Sequence, residues 1–191
     1  WLFGFGQFFT GLLWMGEAFL VEAEHFLWAL PFAITLLPAG LALFGGLAFY
    51  LWGQMVARFA MRRLLASLAL ALWLVLAAYL RSTVLTGLPW NLPAMGWGTW
   101  LYLAQATSFL GVHGLGLLAL VSVAFLLAEQ ARLRWLSLAL MVLVLLFGVA
   151  RLHGGVRLEA SDTIVTVVQP NLAQREKWLP EKRDAHIEKT L

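Results

Sequence analysis

The chain has 191 residues, 62% of them hydrophobic, and a mean hydropathy of +0.83, far above the roughly half-apolar content of soluble domains. Lipid is therefore the solvent for much of its surface, and a water-soluble globular fold is excluded. The formal charge of +3 divides into +4 over 1–157 and −1 over 158–191, so the basic character belongs to arginines flanking apolar segments and implies no nucleic acid; zero cysteines exclude a disulfide framework, a thiolate metal site and a thiol nucleophile within these residues.

A helix needs about 20 mainly apolar residues to cross roughly 30 Å of hydrocarbon. Five segments meet this in chain order, at 1–21, 27–57, 64–80, 99–128 and 135–152, so 1–157 is predicted to be an all-α polytopic membrane helix bundle. The first opens on Trp1 with neither the basic leader nor the small-residue cleavage site of a signal peptide, which predicts a start inside a longer protein. Gly4 and Gly11 on it offer a groove to a neighbouring backbone, as do Gly45, Gly46, Gly111, Gly114 and Gly116 further on. In the second, Pro31 and Pro38 each lack a backbone donor, so the helix is expected to begin near Pro31 and bend at Pro38. Trp14, Trp28, Trp52, Trp90, Trp97, Trp100 and Trp135 fall near span ends, where an amphipathic ring sits at headgroup level.

The loops alternate in charge. Arg58, Arg62 and Arg63 occupy one and Arg132 and Arg134 another, against Glu22 and Glu24 in the first loop and a lone Arg81 in the third. The positive-inside rule puts the arginine loops in the cytoplasm, and five crossings then bring the C-terminal segment out on the opposite, extracytoplasmic face.

After Arg157 the pattern changes. Thr163 to Gln169 is short and β-branched, which predicts a buried strand; a Pro170-Asn171 turn, a polar loop to Trp178 and a helix opening at Pro180 follow. The order predicts the beginning of an α/β domain, and the charged run 181–191 carries no stop signal.

The richest chemistry lies between the third and fourth segments. Gly87 and Pro89 predict a tight turn back at headgroup level, and Arg81 is the one basic residue there. A guanidinium matches a lipid phosphate in geometry and charge, so Arg81 either holds a phospholipid headgroup or snorkels at the interface. Trp90 and Asn91 line a lipid portal or anchor the loop. Elsewhere the residues speak for structure. His25, His113, His153 and His186 are scattered without metal-ligand spacing, so no metal site is expected. Glu17 and Glu24 are expected as solvated carboxylates, and Gln105 and Ser108 to satisfy each other or a neighbouring helix.

Three blocks together carry a resemblance. Trp1-Leu-Phe-Gly-Phe-Gly with Gly11 and Trp14, Arg81-Ser-Thr-Val-Leu-Thr-Gly-Leu-Pro-Trp-Asn91, and Val168-Gln-Pro-Asn-Leu-Ala-Gln-Arg-Glu-Lys-Trp178 resemble apolipoprotein N-acyltransferases in order and spacing, over essentially the whole chain. Leu88, where the family more often has Phe, and Met95, in a stretch that often carries Gly-Tyr, are departures confined to the loop.

The resemblance implies a multi-pass bacterial inner-membrane enzyme, with 158–191 opening an incomplete periplasmic nitrilase-like (CN hydrolase) α-β-β-α sandwich. It implies transfer of an acyl chain from a phospholipid donor to the N-terminal cysteine of a diacylglyceryl-modified apolipoprotein through a cysteine thioester, without an exogenous cofactor. The family's Glu-Lys-Cys triad would lie beyond Leu191, leaving no catalytic residue here and an inactive piece. Trp178 matches the tryptophan after the family's first strand, a site-mouth residue or an aromatic lid over the domain core. Three rivals remain: a transporter or channel subunit, a non-enzymatic membrane anchor, and a nitrilase-like amidase or other acyltransferase on the same scaffold. The first calls for intramembrane charge pairs or broken helices at mid-bilayer, and the sequence places no clear ionisable residue there.

Overall fold

Between helices in lipid, leucine gains little by facing a neighbour instead of an acyl chain, so helices approach through small residues and turn large ones outward. The computed structural model, which describes residues 1–154, 166–173, 176–177 and 179–190, follows that rule most clearly on α3. Six helices carry the architecture: α1 Leu2–Leu12, α2 Leu30–Phe59, α3 Arg63–Thr83, α4 Thr107–Leu126, α5 Ala131–His153 and α6 Arg183–Thr190. On α3 the buried apolar side chains are Ala66, Ala69, Ala71, Ala77 and Ala78, while Leu65, Leu72 and Leu76 face outward. Ala42 and Ala48 do the same work on α2.

The first five helices form a row, each packed against the next. Antiparallel order is fixed by contacts at known heights. A Cβ on Gly4 would stand 3.4 Å from Ala42, and Gly16 faces Leu30 and Ile34, so α1 descends where α2 rises. A left-handed Ala60 (φ 45°) closes α2, its N–H bonded to Val56 O, and the Trp52 indole donates to Ala66 O at 2.7 Å beside the turn. Arg63 pairs with Glu129 at 3.0 Å, so both arginine turns lie at one end of the row. At the other end Tyr102 stacks on His153 with centroids 6.2 Å apart, so α5 delivers the chain to the end opposite the arginines.

Inside the α4–α5 seam Ser137 is fully buried and donates to Ser122 O at 2.9 Å, whereas the buried Ser122 hydroxyl has no partner among the described residues. The pair makes opposite predictions. Ser137→Ala removes a bond and is expected to cost about 0.5–1.5 kcal/mol. Ser122→Ala removes an unpaired hydroxyl and is expected to be neutral or stabilising. Thermal unfolding in detergent reads both, and equal losses in the two variants would contradict this account.

Two of the five expected spans change. Among the described residues four helical stretches are long and apolar enough to cross a membrane: Ala23–Phe59, Arg63–Thr86, Thr107–Leu126 and Ala131–His153. The expected 1–21 span breaks at Leu12 into a 3-10 turn, Leu13–Gly16, and one helical turn, Glu17–Leu20. The cause is local: the Trp14 indole donates to Gly11 O at 3.1 Å, claiming the carbonyl that an unbroken helix offers to residue 15. The expected 99–128 span is cut before Thr107, where Thr107 and Ser108 hydroxyls bond Ala104 O and Gln105 O at 2.7 and 2.8 Å, and again at Gly111 with φ 67°. Gln105 and Ser108 thus meet through a main-chain carbonyl, and the Gln105 amide turns to Leu101 O. The 27–57 segment becomes a continuous helix from Leu30, with Pro38 inside it. The 64–80 and 135–152 segments are α3 and α5.

The expected strand does not form among the described residues. Thr166–Gln169 carry no regular structure, and 163–165 lie outside the described residues. A strand needs a neighbouring edge for its backbone groups, and no described element supplies one. The turn does appear, at a left-handed Asn171 (φ 49°), and so does the helix opening at Pro180: a 3-10 turn, Pro180–Lys182, leads into α6, with Lys182 paired to Glu176 at 2.8 Å.

Candidate functional site

The loop after α3 is built on an exchange between Arg81 and Leu88. Val84–Thr86 form a single 3-10 turn, and Leu85, Thr86 and Gly87 follow one another with φ of 54°, 73° and 77°. Positive φ is unfavourable for leucine and more so for β-branched threonine, so the turn persists only because its ends are tied. Leu88 N donates to Arg81 O at 3.0 Å, and Arg81 Nη1 donates to Leu88 O at 2.5 Å.

Arg81 does not snorkel. It is 4% exposed, turned beneath the loop with its guanidinium carbon 4.7 Å from the centre of the Phe8 ring on α1. The bond to Leu88 O is its one hydrogen bond among the described residues, so most of its five N–H groups are uncommitted.

From Leu88 onward the loop crosses α1. Leu88 packs on the cluster of Phe8, Leu12, Leu41 and Ala42. The Trp90 ring lies 5.5 Å from Trp14, still 43% exposed. Asn91, left-handed at φ 51°, lays its amide over the bare Cα of Gly11, with Nδ2 at 3.5 Å from Gln7 O. Pro93 and Ala94 then reach Gly116 on α4. Gly116 therefore admits the loop's backbone, as a small-residue groove was expected to, and Gly11 admits the Asn91 side chain. Arg81 and Asn91 line one cavity, Trp90 turns to Trp14, and Trp178 lies outside the described residues.

Two apolar cavities meet at this arginine. One, of about 290 Å³, runs between α1, α2 and α3 toward Leu120 of α4, and its amide and charged lining groups are Gln7, Asn91 and Arg81. The other, of about 660 Å³, lies between α2 and the Val84–Leu88 turn. They share only Leu41, Phe44 and Arg81. An apolar recess with a few convergent polar groups suits a ligand with a greasy body and a polar head. Gln7 and Phe8 escaped the reading of the sequence; the signal present was Gln7 itself, the one amide in the first segment.

The histidines stay apart. His113 meets Tyr79 edge-on at 5.4 Å, His153 stacks on Tyr102, and His25 lies against Phe26. Glu17 and Glu24 are exposed, as expected.

Comparison with known proteins adds the family. The model described as apolipoprotein N-acyltransferase N-terminal domain matches residues 1–126. Proteins named apolipoprotein N-acyltransferase are similar over most of the chain: that of Rhodopseudomonas palustris is 41% identical over 91% of the chain and 33% of its own length, that of Allorhizobium ampelinum 38% over 100% and 36%, and that of Brucella suis biovar 1 36% over 99% and 36%. The chain thus spans about a third of the length of these relatives. No solved structure matches.

Proposed function

Because the chain belongs to the apolipoprotein N-acyltransferase family, we propose that it forms the membrane part of an enzyme that moves an acyl chain from a phospholipid to the N-terminal diacylglyceryl-cysteine of an apolipoprotein. The observation that carries this is the family match over 1–126, which includes the Arg81–Asn91 loop, with that loop seated at the end of the bundle to which α5 delivers the chain. In this reading 158–191 opens a nitrilase-like domain on the periplasmic side of the inner membrane, directly over the loop. Trp90 and Asn91 border the lipid's way in, Arg81 draws its phosphate, and Trp178 lies at the mouth of the site.

The chemistry then belongs to a Glu-Lys-Cys set beyond Leu191. A glutamate takes the thiol proton, the thiolate attacks the lipid ester carbonyl, and the lysine with backbone N–H groups holds the oxyanion. Collapse leaves an acyl-thioester, and the glutamate returns the proton to the departing lysophospholipid alkoxide. The apolipoprotein amine next attacks the thioester, and its proton passes through the glutamate to the released thiolate. No exogenous cofactor enters. The membrane bundle supplies binding and height, a part that a transporter subunit or a passive anchor would not need to play in acyl transfer.

The test uses the intact protein with phospholipid vesicles and a diacylglyceryl-modified peptide. Mass spectrometry is expected to show an acyl adduct on one cysteine without peptide and N-acylated peptide with it. Residues 1–191 alone are expected to give neither. An unmodified thiol during turnover would falsify the mechanism, and reporter fusions placing residue 178 on the same side as Arg62 would remove the topology it needs.

A further inference from the structure

We propose that the arginine end of the bundle, opposite Arg81, binds an anionic phospholipid of the leaflet it faces, as a resident structural ligand whose phosphate sits between the α2–α3 and α4–α5 turns. Such a lipid is not an acyl donor. Arg63 and Arg81 stand near the two ends of the 21-residue α3, roughly 27 Å apart at about 1.5 Å per residue, close to the whole thickness of the hydrocarbon. The inference therefore stands apart from the acyl-transfer reading.

Charge complementarity comes first. Over 58–67 and 124–135 the sequence sets Arg58, Arg62, Arg63, Arg132 and Arg134 against a single carboxylate, Glu129. That residue already serves two guanidiniums, accepting from Arg63 Nη1 at 3.0 Å on its carboxylate and from Arg134 Nη2 at 3.4 Å on its main-chain oxygen. Two cations from different turns thus converge on one acid and keep positive charge to spare. Their place in the helices compounds it: Arg63 and Arg132 lie in the first turns of α3 and α5, which hold no acidic residue and whose N-cap side chains, Arg62 and Gln130, make no capping bond. A helix start carries positive partial charge, so cations there are unfavourable until an anion joins them.

Shape says which anion. Between the turns lies a cavity of about 470 Å³, lined by Arg62, Arg63, Ser67 and Gln130 together with Leu65 and Leu127. Both leucines are exposed, and each heads an exposed apolar strip, Leu65 with Leu72 on α3 and Leu127 with Val123 on α4. A phosphate that carries acyl chains satisfies the arginines and covers the strips, whereas an acidic polypeptide answers only the charge. The exposed Trp135 ring beside Arg134 suits headgroup level. A net-negative headgroup is selected, because a choline ammonium would set one more cation among the arginines.

The experiment titrates the intact protein in detergent with phosphatidylglycerol whose chains are ether-linked, leaving no ester to transfer, and with the matching phosphatidylcholine; native mass spectrometry counts the bound lipid. Phosphatidylglycerol is expected to bind roughly tenfold tighter, a preference that fades in high salt. Arg63→Gln with Arg134→Gln should bring it down to the level of phosphatidylcholine, while lysine at both positions should keep most of the preference. Both side chains are exposed, so the variants are expected to fold, and unfolding midpoints without lipid check it. Glu129→Gln removes the competing carboxylate and should tighten phosphatidylglycerol by about two- to threefold; an ion pair that merely joined the turns would give looser binding or no change. Equal binding of the two lipids would overturn the proposal. So would a preference that survives the double glutamine substitution, one that Arg81→Gln erases instead, or one that an oligoglutamate peptide displaces as readily as the lipid itself. Since the probe cannot donate an acyl chain, failure of the proposed reaction leaves this result readable.

Discussion

Gly148→Ala is expected to cost about 2–3 kcal/mol of bundle stability. Gly148 is buried where the Leu101–Ala104 turn crosses α5, and a Cβ there would drive into the carbonyl and Cα of Tyr102. Those atoms are main chain, so no rotamer change relieves the clash; the turn must lift as a unit. Lifting it also separates Tyr102 from His153 and loosens the Ala94–Ala106–Leu115 cluster over which α4 and the loop meet. Alanine's better helix propensity returns only about 0.5–1 kcal/mol. Gly53→Ala is the matched control: on α2 its Cβ meets nothing within 4 Å, so it should gain roughly that amount. Unfolding midpoints in detergent decide the matter, and a Gly148 variant as stable as Gly53→Ala would show that the turn does not rest on α5.

Gly148 also marks what sequence could not convey. Its neighbours are apolar in every direction along the chain, and only the crossing of the Leu101–Ala104 turn singles it out. That turn exists because Thr107 and Ser108 spend their hydroxyls on carbonyls inside what hydropathy reads as one span. Hydropathy registers solvent preference and is blind to such local hydrogen bonds, which is why 1–21 and 99–128 read as unbroken while α3 and α5, free of them in mid-helix, were placed within a few residues. The loop was legible in kind: Gly87 does adopt the conformation its type predicts, and the loop does turn back tightly, with Leu88 returned to Arg81. Arg81's inward turn was not, since it depends on a Phe8 ring from the start of the chain and a carbonyl released by the turn itself.

Gly87→Ala is expected to undock the loop and lower acyl transfer by the intact protein at least tenfold, equivalent to about 1.4 kcal/mol. At φ 77° and ψ 142° Gly87 sits where an L side chain is strained by about 1–3 kcal/mol, and its Cβ would strike Ser82 O. Ser82 is held in turn, its hydroxyl on Ala78 O at 2.6 Å, so α3 gives little. The turn therefore opens, and both Arg81–Leu88 bonds go with it. Leu88 and Asn91 are seated on α1, and Trp90 on Trp14 of the 3-10 turn that follows it, through that register, so all three leave together, and Arg81 is freed to reach the surface. A shift in tryptophan emission as Trp90 parts from Trp14, with new proteolysis near residue 87, should accompany the loss of rate. Gly96→Ala, in open space one turn further on, should change none of these by more than about 0.5 kcal/mol. If Gly87→Ala alters fluorescence and proteolysis but leaves the rate intact, the loop is scaffolding only; if it alters neither, the Arg81–Leu88 exchange does not hold the loop.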